Sequence, residues 1–416
     1  MKRVLFGKFK NIATAGAVLS GSISSAAMAD FIDDSHLTIN TKNYFFNRDF
    51  HNRNANGQSY RQEWAQGFIT QFKSGYTEGS VGFGIDVLSL VGIKLDSGSG
   101  RLGTGLLPYS GAGNPGEDHA QDSYGSLGIV PKIKISNTEF KYGRQLVSLP
   151  VLAGNTIRLL PETGTGLLIT SREISGLELN IADFTKFGAM NEANADAQRL
   201  PSARAIGGSW TGFKSSKLSY YYSDVKDYYT KHYVGANHVF TPAKNQRLTL
   251  DFNMYDTKSQ GEARAGALSN RAFSLAGTWA VGAHSLMLTY QGVSGTGTYA
   301  YGVEGGGSIY LANSSYISDF NYEHEKSMQA SYNLDMAAFG APGLSFTASY
   351  VKGVDFTIDG EDDQHEYERS LQVKYVVQSG PAKNLSIRLP WVKYRNSFQG
   401  NTDDVRVVVE YPIEIF

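Results

Sequence analysis

The sequence predicts an all-β fold, an 18-stranded antiparallel transmembrane β-barrel with inward-folded constriction loops, on three observations. Segments of about ten residues alternate apolar and polar side chains along the chain. Short connections alternate with long ones. No stretch after residue 29 approaches 18 consecutive apolar residues, so helical spans are excluded.

Alternation is clearest in the second half. Leu248, Leu250, Phe252 and Met254 share one face, with Thr249, Asp251, Asn253 and Tyr255 on the other. Leu371, Val373, Tyr375 and Val377 oppose Ser370, Gln372 and Lys374, and Leu385, Ile387, Leu389 and Trp391 oppose Ser386 and Arg388. Val405, Val407, Val409, Tyr411, Ile413 and Ile415 oppose Arg406 and Glu410. A strand facing lipid on one side and water on the other reads this way. Extending the rule places strands at 37–46, 64–73, 79–94, 127–135, 138–143, 166–173, 176–183, 205–213 and 216–224. The series continues at 231–240, 247–256, 271–281, 284–293, 326–336, 343–353, 366–378, 384–395 and 404–415. An even count suits a barrel closed by one chain.

Short turns are expected near 74–78, 136–137, 174–175, 241–246, 337–342 and 379–383. Long loops are expected near 47–63, 95–126, 144–165, 184–204, 256–270, 294–325, 354–365 and 396–403. That asymmetry is the one outer-membrane barrels show, with short turns on the periplasmic side. A soluble sandwich or propeller would show shorter strands or a blade repeat, and the sequence has neither.

Residues 1–29 read as a secretory leader and residues 30–416 as the barrel. Lys2, Arg3, Lys8 and Lys10 precede an apolar run from Ile12 to Ile23, and Ala27-Met28-Ala29 offers a cleavage site. The run is too short for a membrane anchor. Losing those four cations takes the formal net charge from −1 to −5, which argues against nucleic acid as a partner. Cysteine is absent, which excludes disulfides and thiolate metal sites, and no metal or cofactor is expected. Abundant Tyr and Phe with a mean hydropathy of −0.28 fit a barrel whose aromatic girdles flank an apolar band. The C-terminal Phe416 is the aromatic expected of a substrate of the barrel-assembly machinery, although Glu414, Pro412 and Glu410 share its face. Outer-membrane lipid and lipopolysaccharide are the surroundings such a barrel implies.

The alternation also sorts the charges. Lys42, Lys374, Arg388 and Arg406 fall opposite the apolar face, and a basic residue on the lipid face at mid-membrane costs roughly 2–4 kcal/mol. They therefore point into the lumen. Lys42 is on the first strand and the others on the last three, so closure makes them neighbours. A stripe of fixed cations in a narrow channel concentrates anions, and arginine's planar fork suits carboxylates. The alternative is that each is paired with an acid across a wet pore. The run Gln145 to Leu152, continuing to Arg158, Glu162 and Thr163, is too apolar for a solvated loop and is expected to fold inward. Arg158 and Glu162 would be its charged contributions, while Arg144 reads equally as a strand end at the rim. The loop at 294–325 offers Tyr310, Ser314, Tyr316, Ser318 and Asp319 for a second wall, with Asp319 facing the cations.

These residues resemble the OprD-type outer-membrane carboxylate channels, also called the Occ porin family, over essentially the whole mature chain. The most specific pieces are Asn43-Tyr44-Phe45-Phe46-Asn47-Arg48-Asp49, Trp64-Ala65-Gln66-Gly67-Phe68 and Val81-Gly82-Phe83-Gly84-Ile85-Asp86. Leu311-Ala312-Asn313-Ser314, Ser318-Asp319-Phe320-Asn321, Pro342-Gly343-Leu344 and the run from Lys374 to Lys383 follow. The resemblance implies a monomeric 18-stranded barrel, constricted by its third and seventh loops, that passes small carboxylates along a basic ladder. Lys42, Lys374, Arg388 and Arg406 then correspond to ladder members and Arg158 to the third-loop arginine. Ser314 and Asp319 correspond to seventh-loop eyelet positions. Pro390 departs from the pattern, standing where some members carry a further ladder arginine.

Function is expected to be passive diffusion of small carboxylates, aromatic or small organic acids, because the eyelet candidates are more basic than acidic. A channel of the same family preferring basic amino acids is the alternative. A barrel-embedded enzyme would need an activated nucleophile or acid–base pair, and the sequence has no G-x-S-x-G or metal-spaced histidine cluster. A structural or adhesive barrel with a plugged lumen is the third possibility.

Overall fold

A computed structural model describes residues 31–416 apart from residues 53, 55–56, 111–117, 193–197 and 303–306. The expected leader lies outside the described residues. Eighteen antiparallel strands form one sheet in which chain neighbours pair. The sheet closes because the first strand, His36–Phe50, pairs with both the second, Tyr60–Lys73, and the last, Thr402–Glu414. Closure leaves no unpaired edge, which a bilayer without hydrogen-bonding solvent requires.

Side-chain placement follows the two-residue period. Leu127, Ile129, Ile206, Leu275, Leu288 and Leu371 are each more than half exposed on the outer surface. In water so many large apolar side chains would be a liability, but against hydrocarbon they are matched to their surroundings. On the last strand the alternate positions Thr402, Asp404, Arg406 and Val408 are buried on the lumen side.

All eighteen expected strands are present, and the corrections concern their ends. Strands continue past the apolar segment into water, because ladder hydrogen bonds need no apolar face. The expected long loop at 354–365 is therefore absent. The fifteenth strand, Leu344–Ile358, joins the sixteenth, Glu361–Val376, through Asp359 and Gly360 alone. Both residues have positive φ, 52° and 83°, as the tightest hairpin turns require. The Asp-Gly pair is itself the sequence signal for such a turn.

The segment 146–162 between the fifth strand, Thr138–Gln145, and the sixth, Thr163–Ser171, folds into the lumen as its apolar composition requires. Val147, Leu149, Val151 and Leu152 pack with Phe184, Tyr221, Tyr233 and Tyr255 on one wall. Leu159 and Leu160 pack with Tyr44, Phe46, Ala65 and Leu88 on the other. Each fully buried leucine is worth about 1.5–3 kcal/mol, enough together to hold the segment across the pore. Gly67 makes room for it, since a Cβ there would stand 3.1 Å from Leu159 Cγ. Leu102, Leu106 and Leu107 of the second long loop also turn inward, which the sequence did not suggest. The buried Glu63 carboxylate accepts from the amides of Gly103 at 3.0 Å and Leu106 at 3.2 Å, and from the Thr104 hydroxyl.

Candidate functional site

The barrel seam assembles the predicted stripe. Alternation on the first strand turns Lys42, Tyr44 and Phe46 inward, and Arg48 continues the row. Register then sets Lys42 beside Glu410, Phe46 beside Arg406 and Arg48 beside Asp404 on the last strand. On the seventeenth strand, Ser386–Asn396, Arg388 lies beside Val408 on one side and Lys374 of the sixteenth on the other. The four sequence-predicted cations thus occupy one wall.

They do not stand as a bare row. Glu410 lies between two of them, its Oε1 3.2 Å from Lys42 Nζ and its Oε2 2.9 Å from the Arg388 guanidinium. Asp404 accepts from Arg48 at 2.7 and 2.8 Å and from Arg406 at 2.6 Å. Five cations (Lys42, Arg48, Lys374, Arg388 and Arg406) line this wall, and four of them share two carboxylates, Asp404 and Glu410. Access differs sharply among them. The Arg388 side chain is 34% exposed, against 8% for Lys42 and 3% for Arg406. Arg406 is instead a structural hub, with its Cζ 4.2 Å from the Phe46 ring centroid and 5.3 Å from that of Tyr316. It also donates to the Tyr316 carbonyl at 2.9 Å, tying the wall to the seventh loop on the outer side.

The third long loop contributes mainly backbone and apolar surface. Arg158 turns its side chain over Phe46, 5.4 Å from the ring centroid, and its Nε donates to the Thr104 carbonyl at 3.1 Å. Its own carbonyl accepts from Lys42 Nζ at 3.0 Å. Glu162 is buried and accepts from the amides of Asn155 at 2.7 Å and Gly307 at 2.8 Å, so it clamps this loop to the seventh. Burial pushes the Glu162 carboxyl above its ordinary range, and the two amides oppose that shift. Arg144 is buried, with its Nε donating to Thr163 at 2.9 Å.

The seventh loop on the outer side, 297–325, is pinned by acids the alternation rule had left unassigned. Glu368 accepts from the amides of Tyr316 at 3.0 Å and Ile317 at 2.9 Å and from the Ser315 hydroxyl. Glu366 accepts from Ser318 at 2.7 Å. Both glutamates sit on lumen-facing positions of the sixteenth strand, so parity alone would have found them. Ser314 and Tyr301 each donate to Asp319, which makes Asp319 a brace of the loop.

Together these elements enclose a cavity of about 670 Å³. Lys42, Arg388, Arg406 and Glu410 form its charged side, while Ile157 and Pro161 of the third loop and Ser314 and Tyr316 of the seventh close it. Pro390 stands in the same wall, where it supplies neither charge nor amide donor. Neither Asp319 nor Arg158 borders this cavity. Across the third loop a second cavity of about 640 Å³ is lined by Asn180, Tyr221, Tyr233, Asn253 and Tyr310.

A closed barrel with an apolar outer band and a lumen narrowed by folded-in loops is an outer-membrane channel. The particular family follows from sequence. Residues 29–415 match the model for the outer membrane porin, OprD family, and the chain belongs to that family. It is 38% identical to Porin D of Pseudomonas aeruginosa, over 96% of this chain and 95% of that one. The crystal structure of Pseudomonas aeruginosa OccK9 (OpdG) superposes with a TM-score of 0.87 at 34% identity, over 92% of this chain and all of the other. The structure of Pseudomonas aeruginosa OpdK with vanillate matches with a TM-score of 0.84 at 31% identity and the same coverage. These relatives are porins, channels rather than enzymes, and the protein is an outer-membrane porin.

Proposed function

We propose that this porin passes small carboxylates, with aromatic acids preferred, by diffusion through the basic cavity. The observation that carries this reading is the accessible Arg388 guanidinium in the same cavity as the Tyr316 ring. A guanidinium fork binds both oxygens of a carboxylate, while Tyr316 and Ile157 offer apolar surface to a ring. Lys42, Lys374 and Arg406 add a positive field along the wall, and Arg158 contributes through space from behind Phe46. Ser314 lines the opening, and Asp319 holds Ser314 in place. Vanillate, named in the OpdK structure, is an acid of the class this site fits.

Planar-bilayer recording and liposome uptake test the reading together. The expected result is an anion-selective reversal potential and faster uptake of benzoate than of arginine. Faster arginine uptake would move the preference to basic amino acids, and absence of conductance would remove the channel function.

A further inference from the structure

The lipid-facing surface carries a second charged constellation, unrelated to the lumen. A groove of about 680 Å³ runs down the outside of the fourteenth to seventeenth strands. Ala330 and Ala348 are small and recess its floor, and Tyr350 and Trp391 form its sides. At the loop end of the groove stand Arg369 and Lys393, direct partners in the ladder. Lys352 lies one outward-facing position further toward the loops on the neighbouring strand, since Tyr350 pairs with Arg369 and Lys352 with Tyr367. All three cations are exposed.

Their depth is readable from the strands. Below Lys393 the outward positions are Trp391, Leu389 and Ile387, and below Arg369 they are Leu371, Val373 and Tyr375. The cations therefore begin where the apolar band ends, at headgroup level. Three other outward-facing cations carry their own acids. Arg204 lies 3.2 Å from Asp183, Arg271 lies 2.9 Å from Asp256, and Lys326 lies 3.2 Å from Asp355. Among the described residues no carboxylate lies within 4.0 Å of Lys352, Arg369 or Lys393. The Arg369 guanidinium is held over aromatic rings instead, 5.5 Å from Tyr350 and 5.2 Å from Tyr367.

We infer that this groove binds a phosphorylated glycolipid of the outer leaflet. Arg369 and Lys393 take one phosphate, Lys352 reaches a second, and an acyl chain lies over Ala330 and Ala348. Arginine's fork matches two phosphate oxygens and lysine adds a point charge. Adjacent strands are about 4.8 Å apart, so cations on three successive strands span about 10 Å, wider than a single phosphate. That width favours a bis-phosphorylated glycolipid over a glycerophospholipid with one phosphate.

Native mass spectrometry of the purified full barrel in detergent tests this, with bis-phosphorylated lipid A, its dephosphorylated form and phosphatidylglycerol as probes. Lipid A should be retained in preference to both others. Each cation removed should cut retention about fivefold, so an Arg369→Gln/Lys393→Gln double variant should lose about 25-fold. Its single-channel conductance should match the parent, which shows that the barrel is intact. Should the double variant fail to assemble, Lys393→Gln alone carries the test, with a loss of about fivefold expected. Undiminished retention by an assembled variant would overturn the proposal. Equal retention of the dephosphorylated lipid or of phosphatidylglycerol would overturn it too.

Discussion

Two walls of one lumen handle buried charge in opposite ways. On the seam wall, Arg388 and Lys42 share Glu410, and Arg48 and Arg406 share Asp404. On the facing wall, Lys231 of the tenth strand, Tyr229–Ala243, has no carboxylate partner among the described residues and is 1% exposed. Its ammonium lies 4.4 Å from the Tyr299 ring centroid and 4.7 Å from that of Tyr229, and it donates to the Ala300 carbonyl. Ring faces and carbonyls surround that ammonium, and it anchors the start of the loop at 297–325. The seam wall instead leaves Arg388 open to the pore. A cation's contribution to the channel field thus depends on what surrounds it, and a count of basic residues on the wall does not measure it.

Breaking the seam wall should produce the largest effect. A fixed charge about 8 Å from a solute acts with about 2 kcal/mol at an effective dielectric of about 20. Arg388→Glu reverses such a charge and should slow carboxylate uptake at least about 30-fold by the same estimate. The reversal potential should move toward cation selectivity. An unchanged potential would take Arg388 out of the permeation path.

Lys231→Met tests the other wall. The carbonyls it serves would lose a buried donor, each at about 1–3 kcal/mol. Selectivity should hold while thermal stability falls and open-channel noise rises as the seventh loop loosens. A shift in reversal potential as large as that of the Arg388 variant would erase the distinction between the walls.

Glu410→Gln sharpens the comparison from the opposite direction. Releasing Lys42 and Arg388 from their shared acid should raise anion selectivity and strengthen carboxylate binding about fivefold, the size expected for one partly exposed ion pair. Block of the current by benzoate measures it.

Much of this was legible in the sequence, and the missing parts share a cause. Strand count, closure and the grouping of Lys42, Lys374, Arg388 and Arg406 follow from parity, because lipid and water impose a two-residue period, and the inward third loop follows from its apolar composition. Parity also puts Arg48, Glu63, Glu366, Glu368, Asp404 and Glu410 inside, yet it does not say which charges meet. Glu410 meets Lys42 and Arg388 only through register across two seams, and register is set by turns whose lengths the pattern leaves loose. The roles of Arg158 and Glu162 depended on side-chain direction within an irregular segment, where no period applies. The Arg158 guanidinium turns behind Phe46, and Glu162 joins two loops.

Glu162 gives the subtlest prediction, because the contact it makes is one both walls share. Its carboxyl is raised in the folded state above the ordinary 4.5, so the unfolded chain loses its proton first. The clamp is then tightest in acid, weakens as pH climbs from about 4.5, and levels off above the folded value. Open-channel noise should therefore grow over that window in the parent protein. Glu162→Gln has no proton to lose there, while its amide oxygen still accepts from Asn155 and Gly307. Its noise should be flat with pH and near the parent's acid-side level. The same slope in both proteins would assign the pH response to another group and leave Glu162 as a constant tie between the loops.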